Sequence, residues 1–224
     1  MHLALAGIMA FTFAVTATAQ QHVSFPTQDG GVVFADVYGN GSRGVVLAHG
    51  GQFNKESWAK QAHILADAGF RVVAIDFRGY GQSHGPGQSD IYTAPLYLDV
   101  VAAIRYLGAI GAKTVSLVGA SMGGWAIGRA VLAARPIRID RLVFLASSPD
   151  IPPEKLSGRK LFIVARDDSS GAGPRLPGIR AYYEKTPEPK QLIVLDGSAH
   201  AQFLFQTNQG DRLTQEILRF LTKP

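Results

Sequence analysis

The 224 residues contain no cysteine. That excludes a thiol nucleophile, thiolate metal sites and any disulfide framework. There is no H-E-x-x-H, no histidine pair at metal-ligand spacing and no G-x-x-x-x-G-K-[ST] phosphate loop, and the glycines at 79, 81 and 85 miss the dinucleotide fingerprint. No metal and no cofactor is therefore expected. Charge is sparse, at 17% of residues, and the net charge of +5 comes from lysines and arginines scattered singly and in pairs. Without a basic run or stripe, no nucleic-acid partner is expected. Long apolar runs are missing as well. Residues 3–15 form the longest candidate, too short for the roughly 20 residues a bilayer span requires.

That segment, followed by Ala17-Thr18-Ala19, fits a secretory signal peptide with a small-residue cleavage site. Its n-region departs from the pattern, since only the α-amino group and His2 precede the apolar run. The expectation is an exported protein, periplasmic or secreted, with 1–19 removed and no stable membrane span in the mature chain. An uncleaved anchor is the alternative. No repeat, low-complexity segment or linker divides the remainder, so 20–224 is expected to form one domain with ample length for a core.

What is present alternates between two periods. Residues 23–26 and 32–38 read as strands joined by Gln28-Asp29-Gly30-Gly31, an antiparallel hairpin. Residues 44–48 are apolar without alternation, as in a strand buried on both faces. A helix over 57–68 follows, with Asn54 as N-cap and Gly69 as its stop. Next come a strand over 71–75, a Gly/Pro-rich loop to Ser89 and a helix over 93–110. Residues 115–118 form a strand, and the helix after it runs to about Ala134, where Arg135-Pro136 ends it. Three short strands lie at 141–146, 160–165 and 191–195. A last helix from Asp211 aligns Leu213, Ile217, Phe220 and Leu221 on one face. Strands alternating with helices predict an α/β fold: a doubly wound, mostly parallel sheet with an antiparallel N-terminal hairpin and helices on both faces.

The most informative stretch is Gly119-Ala120-Ser121-Met122-Gly123, placed between the strand at 115–118 and the helix after it. Strand, G-x-S-x-G and helix in that order form a nucleophile elbow. The turn is so sharp that a Cβ at 119 or 123 would crowd the neighbouring strand and helix. It lifts the Ser121 hydroxyl clear of the sheet, at the positive end of a helix.

Taken with His49-Gly50-Gly51, Asp76-x-Arg78-Gly79-x-Gly81-x-Ser83, Arg166-Asp167-Asp168 and Gly197-Ser198-Ala199-His200, this motif resembles the α/β-hydrolase superfamily and its serine hydrolases. Each motif falls just after a strand, where an open α/β sheet places its site. The resemblance implies a triad in the order Ser, Asp, His: Ser121 as nucleophile, His200 as base and Asp168 as acid. An imidazole suits the base because it titrates near neutrality. The family pattern lays Ala165 on a glycine three residues before the acid, which selects Asp168, with Asp167 and Asp150 as rivals. It also implies an oxyanion hole from the amides of Met122 and Gly51, with Gln52 close behind. His49, Asp76, Arg78 and Ser83 are expected to brace loops and turns. Met122, Trp125, Phe53, Phe203 and Leu204 are candidates for an acyl pocket or for core packing.

Only 147–159 separates the strands at 141–146 and 160–165, which leaves no room for a cap domain. An open site is expected, roofed by 83–89 and 169–178, acting on small or modest-sized soluble esters. The substrate is a small molecule and the oligomeric state stays open. Amide or peptide hydrolysis, acyl transfer or cofactor-free perhydrolysis would use the same triad. A noncatalytic binding protein on this scaffold is the reading from another class.

Overall fold

The computed structural model describes residues 20–134 and 137–223. The expected signal peptide at 1–19 and the Arg135-Pro136 helix stop lie outside the described residues. Strands β1 (Gln21–Pro26) and β2 (Val32–Tyr38) form the antiparallel hairpin expected from Asp29-Gly30, with Gly30 at φ 85°. They flank a run of parallel strands: β3 (Arg43–Ala48), β4 (Phe70–Ile75), β5 (Thr114–Ala120), β6 (Ile139–Leu145), β7 (Arg159–Ala165) and β8 (Lys190–Leu195). The sheet order is β1-β2-β4-β3-β5-β6-β7-β8, and β2 pairs antiparallel with β4.

Two apolar layers sandwich this sheet. Helices α2 (Tyr97–Ala109), α3 (Met122–Ala133) and α4 (Arg175–Lys185) cover one face, with Ile104, Ile127 and Ile179 in the core beneath them. Helices α1 (Ala59–Asp67) and α5 (Gly210–Thr222) cover the other. The unalternating apolar run of β3 is explained by this arrangement. Val46 and Ala48 enter the first layer, while Val45 and Leu47 enter the second. In α5 the stripe Leu213, Ile217, Phe220 and Leu221 is buried as its spacing requires. Among the described residues no helix is long and apolar enough to cross a membrane.

The differences from the sequence reading are local and have physical causes. The expected helix over 57–68 begins as a 3₁₀ turn, Lys55–Trp58, before α1. Asn54 caps it by accepting the Ser57 N–H at 3.2 Å. Helix α2 starts at Tyr97 rather than at 93. Proline disfavours helical geometry at the residue before it, here Ala94, and the Asp90 side chain holds 90–93 in a turn. Helix α4 occupies a stretch that includes part of the expected loop at 169–178. Pro177 is its third residue, where the missing N–H has no helical partner to lose. Residues 169–174 form a two-residue ribbon. Between β6 and β7 there is only a 3₁₀ turn, Pro153–Lys155, so no cap covers the sheet edge.

Arg78 organises the loop after β4. Its side chain and that of Asp99 are both fully buried, and Nη2 donates to Asp99 Oδ1 at 2.7 Å. The Arg78 N–H also reaches Asp99 Oδ2 at 2.9 Å, and Nη1 reaches Asp29 Oδ2 at 2.6 Å and the Pro86 carbonyl at 2.9 Å. One guanidinium thus joins the β1–β2 turn, the 83–89 loop and the first turn of α2. Asp76 accepts the Lys55 N–H at 2.8 Å, and Ser83 Oγ accepts the Phe34 N–H at 2.8 Å. The expected bracing roles of these residues are therefore visible as bonds.

Arg78→Met should lower the unfolding free energy by about 3–5 kcal/mol in a denaturant titration, because Asp99 keeps a buried charge without a partner. The hydrogen bond from Arg78 holds the Asp29 carboxyl down to about 2, from an ordinary 3.8. Its contribution to stability is fully present above the ordinary value and is lost as pH falls toward the depressed one. Acid titration of the variant should lack that component.

Candidate active site

Strand order reverses between β4-β3 and β5-β6, so the loops leaving β3 and β5 diverge and open a crevice at their C-terminal ends. Ser121 stands there with φ 49° and ψ −112°, a conformation that costs on the order of 1–3 kcal/mol for a non-glycine residue. The glycines around it show how the turn is held. A Cβ on Gly119 would lie 2.5 Å from the Gly123 carbonyl oxygen, and one on Gly123 would lie 2.3 Å from that of Ala48 in β3. The Ser121 N–H donates to Leu145 O in β6 at 2.9 Å, and its carbonyl accepts from Gly124 at 2.9 Å to start α3.

His200 follows β8 through a turn in which Gly197 has φ 90°, and a 3₁₀ turn, Ala201–Gln206, fixes its backbone. Its Nε2 lies 2.8 Å from Ser121 Oγ and its Nδ1 lies 2.8 Å from Asp168 Oδ2. An ionised carboxylate can only accept, so Nδ1 carries the proton and Nε2 is left to accept from the serine hydroxyl. Asp168 is fully buried, whereas Asp167 is exposed and engages Gly197 through its backbone N–H. Asp150 is a surface residue paired with Arg129. Of the three rival acids, the structure brings Asp168 to His200 and leaves the other two away from it.

The loop after β3 is tied down atom by atom. Fully buried His49 reaches the Gly50 carbonyl through Nδ1 at 2.8 Å, and its Nε2 accepts the Phe77 N–H at 3.2 Å. Burial pushes the imidazole pKa down, consistent with this neutral form. The Gly50 carbonyl also accepts the Phe53 N–H at 3.0 Å. In a trans peptide the N–H points opposite the C=O, so two bonds on that carbonyl turn the Gly51 N–H the other way. Among the described residues, the N–H groups of Gly51 and Met122 have no protein acceptor. Tyr80, whose hydroxyl donates to Gly51 O at 2.8 Å, locks the next peptide; burial raises its pKa and keeps it protonated.

Gly50, Gly51, Phe53, Ser121, Met122 and His200 share an open cleft of about 210 Å³ with Ile91, Tyr92, Trp125, Arg175 and Phe203. Four of the five pocket candidates line it. Leu204 does not; it is buried in the layer under α5. The expected roof at 83–89 folds onto Arg78 instead, and Ile91 and Tyr92 take its place. From 169–178, Arg175 reaches the cleft.

Sequence reasoning missed Gln202. It is 2% exposed, accepts the Gly50 N–H through Oε1 at 2.9 Å and donates through Nε2 to Ser57 Oγ at 2.8 Å. The only signal was a polar residue two places after His200. Gln202→Ala leaves that buried N–H unsatisfied and frees the loop to drift. Turnover on a good substrate should fall about 10- to 100-fold, mostly in kcat, as small misplacements do; steady-state kinetics checks it.

Residues 45–219 match the sequence profile of the Alpha/beta hydrolase family. An epoxide hydrolase from Caballeronia sordidicola is 33% identical over 169 residues, covering 68% of this chain and 50% of that protein. The non-heme chloroperoxidase CPO-A1 from Kitasatospora aureofaciens is 33% identical over 125 residues, covering 56% and 44%. The chain spans about half, or less, of the length of the curated relatives it matches. In fold it is similar to an esterase from Exiguobacterium antarcticum, with a TM-score of 0.73 at 16% identity over 91% of this chain and all of that one. The Pyrococcus furiosus esterase Pf2001 superposes with a TM-score of 0.74 at 18% identity, covering 91% of this chain and 92% of that one. From β3 to α5, sequence and fold point the same way, and the chain belongs to the alpha/beta hydrolase family.

Proposed function

We propose that this protein hydrolyses small or modest-sized carboxylic esters through an acyl-enzyme. Ser121 Oγ attacks the ester carbonyl while His200 Nε2 takes its proton. The oxyanion that develops is held by the N–H groups of Gly51 and Met122, donors worth on the order of 10²–10³ in rate each. His200 returns the proton to the departing alcohol, and the Ser121 ester remains. Water, deprotonated by the same nitrogen, then cleaves that ester and releases the acid. Asp168 keeps His200 in the required tautomer and stabilises the imidazolium without taking the proton.

The observation that carries this reading is the continuous line of hydrogen bonds from Asp168 through His200 to Ser121, two contacts of 2.8 Å each at the wall of an open cleft. A serine hydroxyl needs a base within that reach to act as a nucleophile. The similarity in fold to two esterases gives further support. The lack of a cap between β6 and β7 supports soluble substrates over interfacial ones.

A second reading keeps the acyl-enzyme and changes its acceptor. An open cleft admits small nucleophiles other than water, and peroxide attack on the Ser121 ester would yield a peracid. The similarity to a non-heme chloroperoxidase favours testing it.

Ser121→Ala should lower kcat by about 10⁶ on a short-chain ester. A variant that keeps most of its turnover in a chromogenic assay would remove the serine from the mechanism. Across an acyl-chain series the wild type should favour short, soluble esters, with no jump in rate where the substrate forms an emulsion.

A further inference from the structure

The geometry points to Arg175 as a carboxylate-binding residue of this cleft: the preferred substrates are esters that carry a second, ionised carboxylate. The inference rests on the ester-hydrolase reading and narrows it to a substrate class.

Arg175 opens α4, and its backbone N–H donates to the Asp168 carbonyl at 2.9 Å, which fixes it beside the site. Its side chain is 31% exposed in the cleft wall that contains Ser121 and His200. Its Nε lies 3.4 Å from Asp168 Oδ1, yet neither atom has a hydrogen-bond partner among the described residues. That contact is loose, because the other carboxylate oxygen is committed to His200. A guanidinium brings five N–H donors. Here the described protein supplies no hydrogen-bond acceptor to any of them, and no other Arg, Lys, Asp or Glu lines the cleft.

Nε is buried without a hydrogen-bond partner, while the rest of the fork is partly exposed in a cleft also lined by Phe53, Phe203 and Trp125, where a ligand can replace its water. The planar fork matches a carboxylate with two parallel bonds, and apolar walls strengthen the pairing. With the Asp168 carboxylate already 3.4 Å away, the guanidinium can meet no more than one further negative charge, which favours a monoanionic carboxylate over a phosphate dianion. The side chain of an Arg175 that served only to prop Asp168 would be expected to hydrogen-bond the Asp168 carboxylate, whereas Nε and Oδ1 meet only as an ion pair at 3.4 Å.

Two matched substrate pairs test this. Monomethyl adipate is compared with methyl adipamate, and 4-acetoxybenzoate with 4-acetoxybenzamide. In each pair the first carries a carboxylate and the second its neutral carboxamide counterpart, placed on the acyl side or the alcohol side. In at least one pair the carboxylate should be favoured in kcat/KM by about 10- to 100-fold, the range for hydrogen bonds to a charged group. Arg175→Gln should abolish that ratio, and Arg175→Lys should restore part of it, since lysine keeps the charge without the fork. Ratios near one in both pairs overturn the inference. So does a ratio that Arg175→Gln leaves unchanged while both rates fall together, which would make Arg175 a prop for Asp168. Calorimetric titration of adipate and adipamide into Ser121→Ala protein reads binding without turnover. Selective binding of adipate that Arg175→Gln removes supports the carboxylate site even if Ser121-dependent hydrolysis is not found; equal binding of the two counts against it.

Discussion

The rest of the structure depends on how closely the first turn of α3 is pressed against the end of β3. Gly123 leaves no space for a Cβ before the Ala48 carbonyl, and Gly119 leaves none before Gly123. With no side chain between strand and helix, the chain must turn at Ser121 in a conformation that residues other than glycine avoid. The buried parallel strands on either side make this turn possible. Their ladders and two apolar layers hold the ends of β3, β5 and β6 side by side, and the strain of this turn falls on Ser121. The same compression projects the hydroxyl out of the sheet and sets the Met122 N–H beside it at a helix N-terminus.

Around this point the molecule buries polar groups that a core of this size would otherwise exclude, and several are satisfied by loops. His49 and Gln202 come from opposite ends of the chain and both end on Gly50, one on its carbonyl and one on its N–H. Arg78 and Asp99 do similar work beneath the loop after β4. Irregular backbone at the C-terminal rim cannot rely on sheet or helix bonding, so side chains supply the missing partners. The result is a rim whose backbone donors are oriented before any ligand arrives, which favours electrostatic stabilisation of a transition state.

The strands were legible because a sheet covered on both faces demands unbroken apolar runs, and few other elements produce them. Ser121 and His200 were legible because a sharp strand-to-helix turn and a loop after the last strand leave recognisable residues. Helix α4 was not legible. Of its residues only Ile179 is fully buried, so it shows almost no apolar stripe. The start of α2 was misread because the apolar pattern continues upstream through Ala94 and Leu96, while Pro95 and Asp90 impose a turn there.

By itself, then, the sequence determined the layer architecture, the elbow and the residue types that meet at the site, because these follow from periodicity and from residues that only one local geometry accommodates. Asp167 and Asp168 are chemically identical neighbours, and only the spacing from Ala165 in the resembling family's pattern favoured Asp168. The turn after β7 buries one and exposes the other. Gln202 and Arg175 acquire their contacts with the site only where loops from distant strands meet. Tertiary structure decided those assignments, because hydrogen bonding depends on distances that sequence separation does not encode.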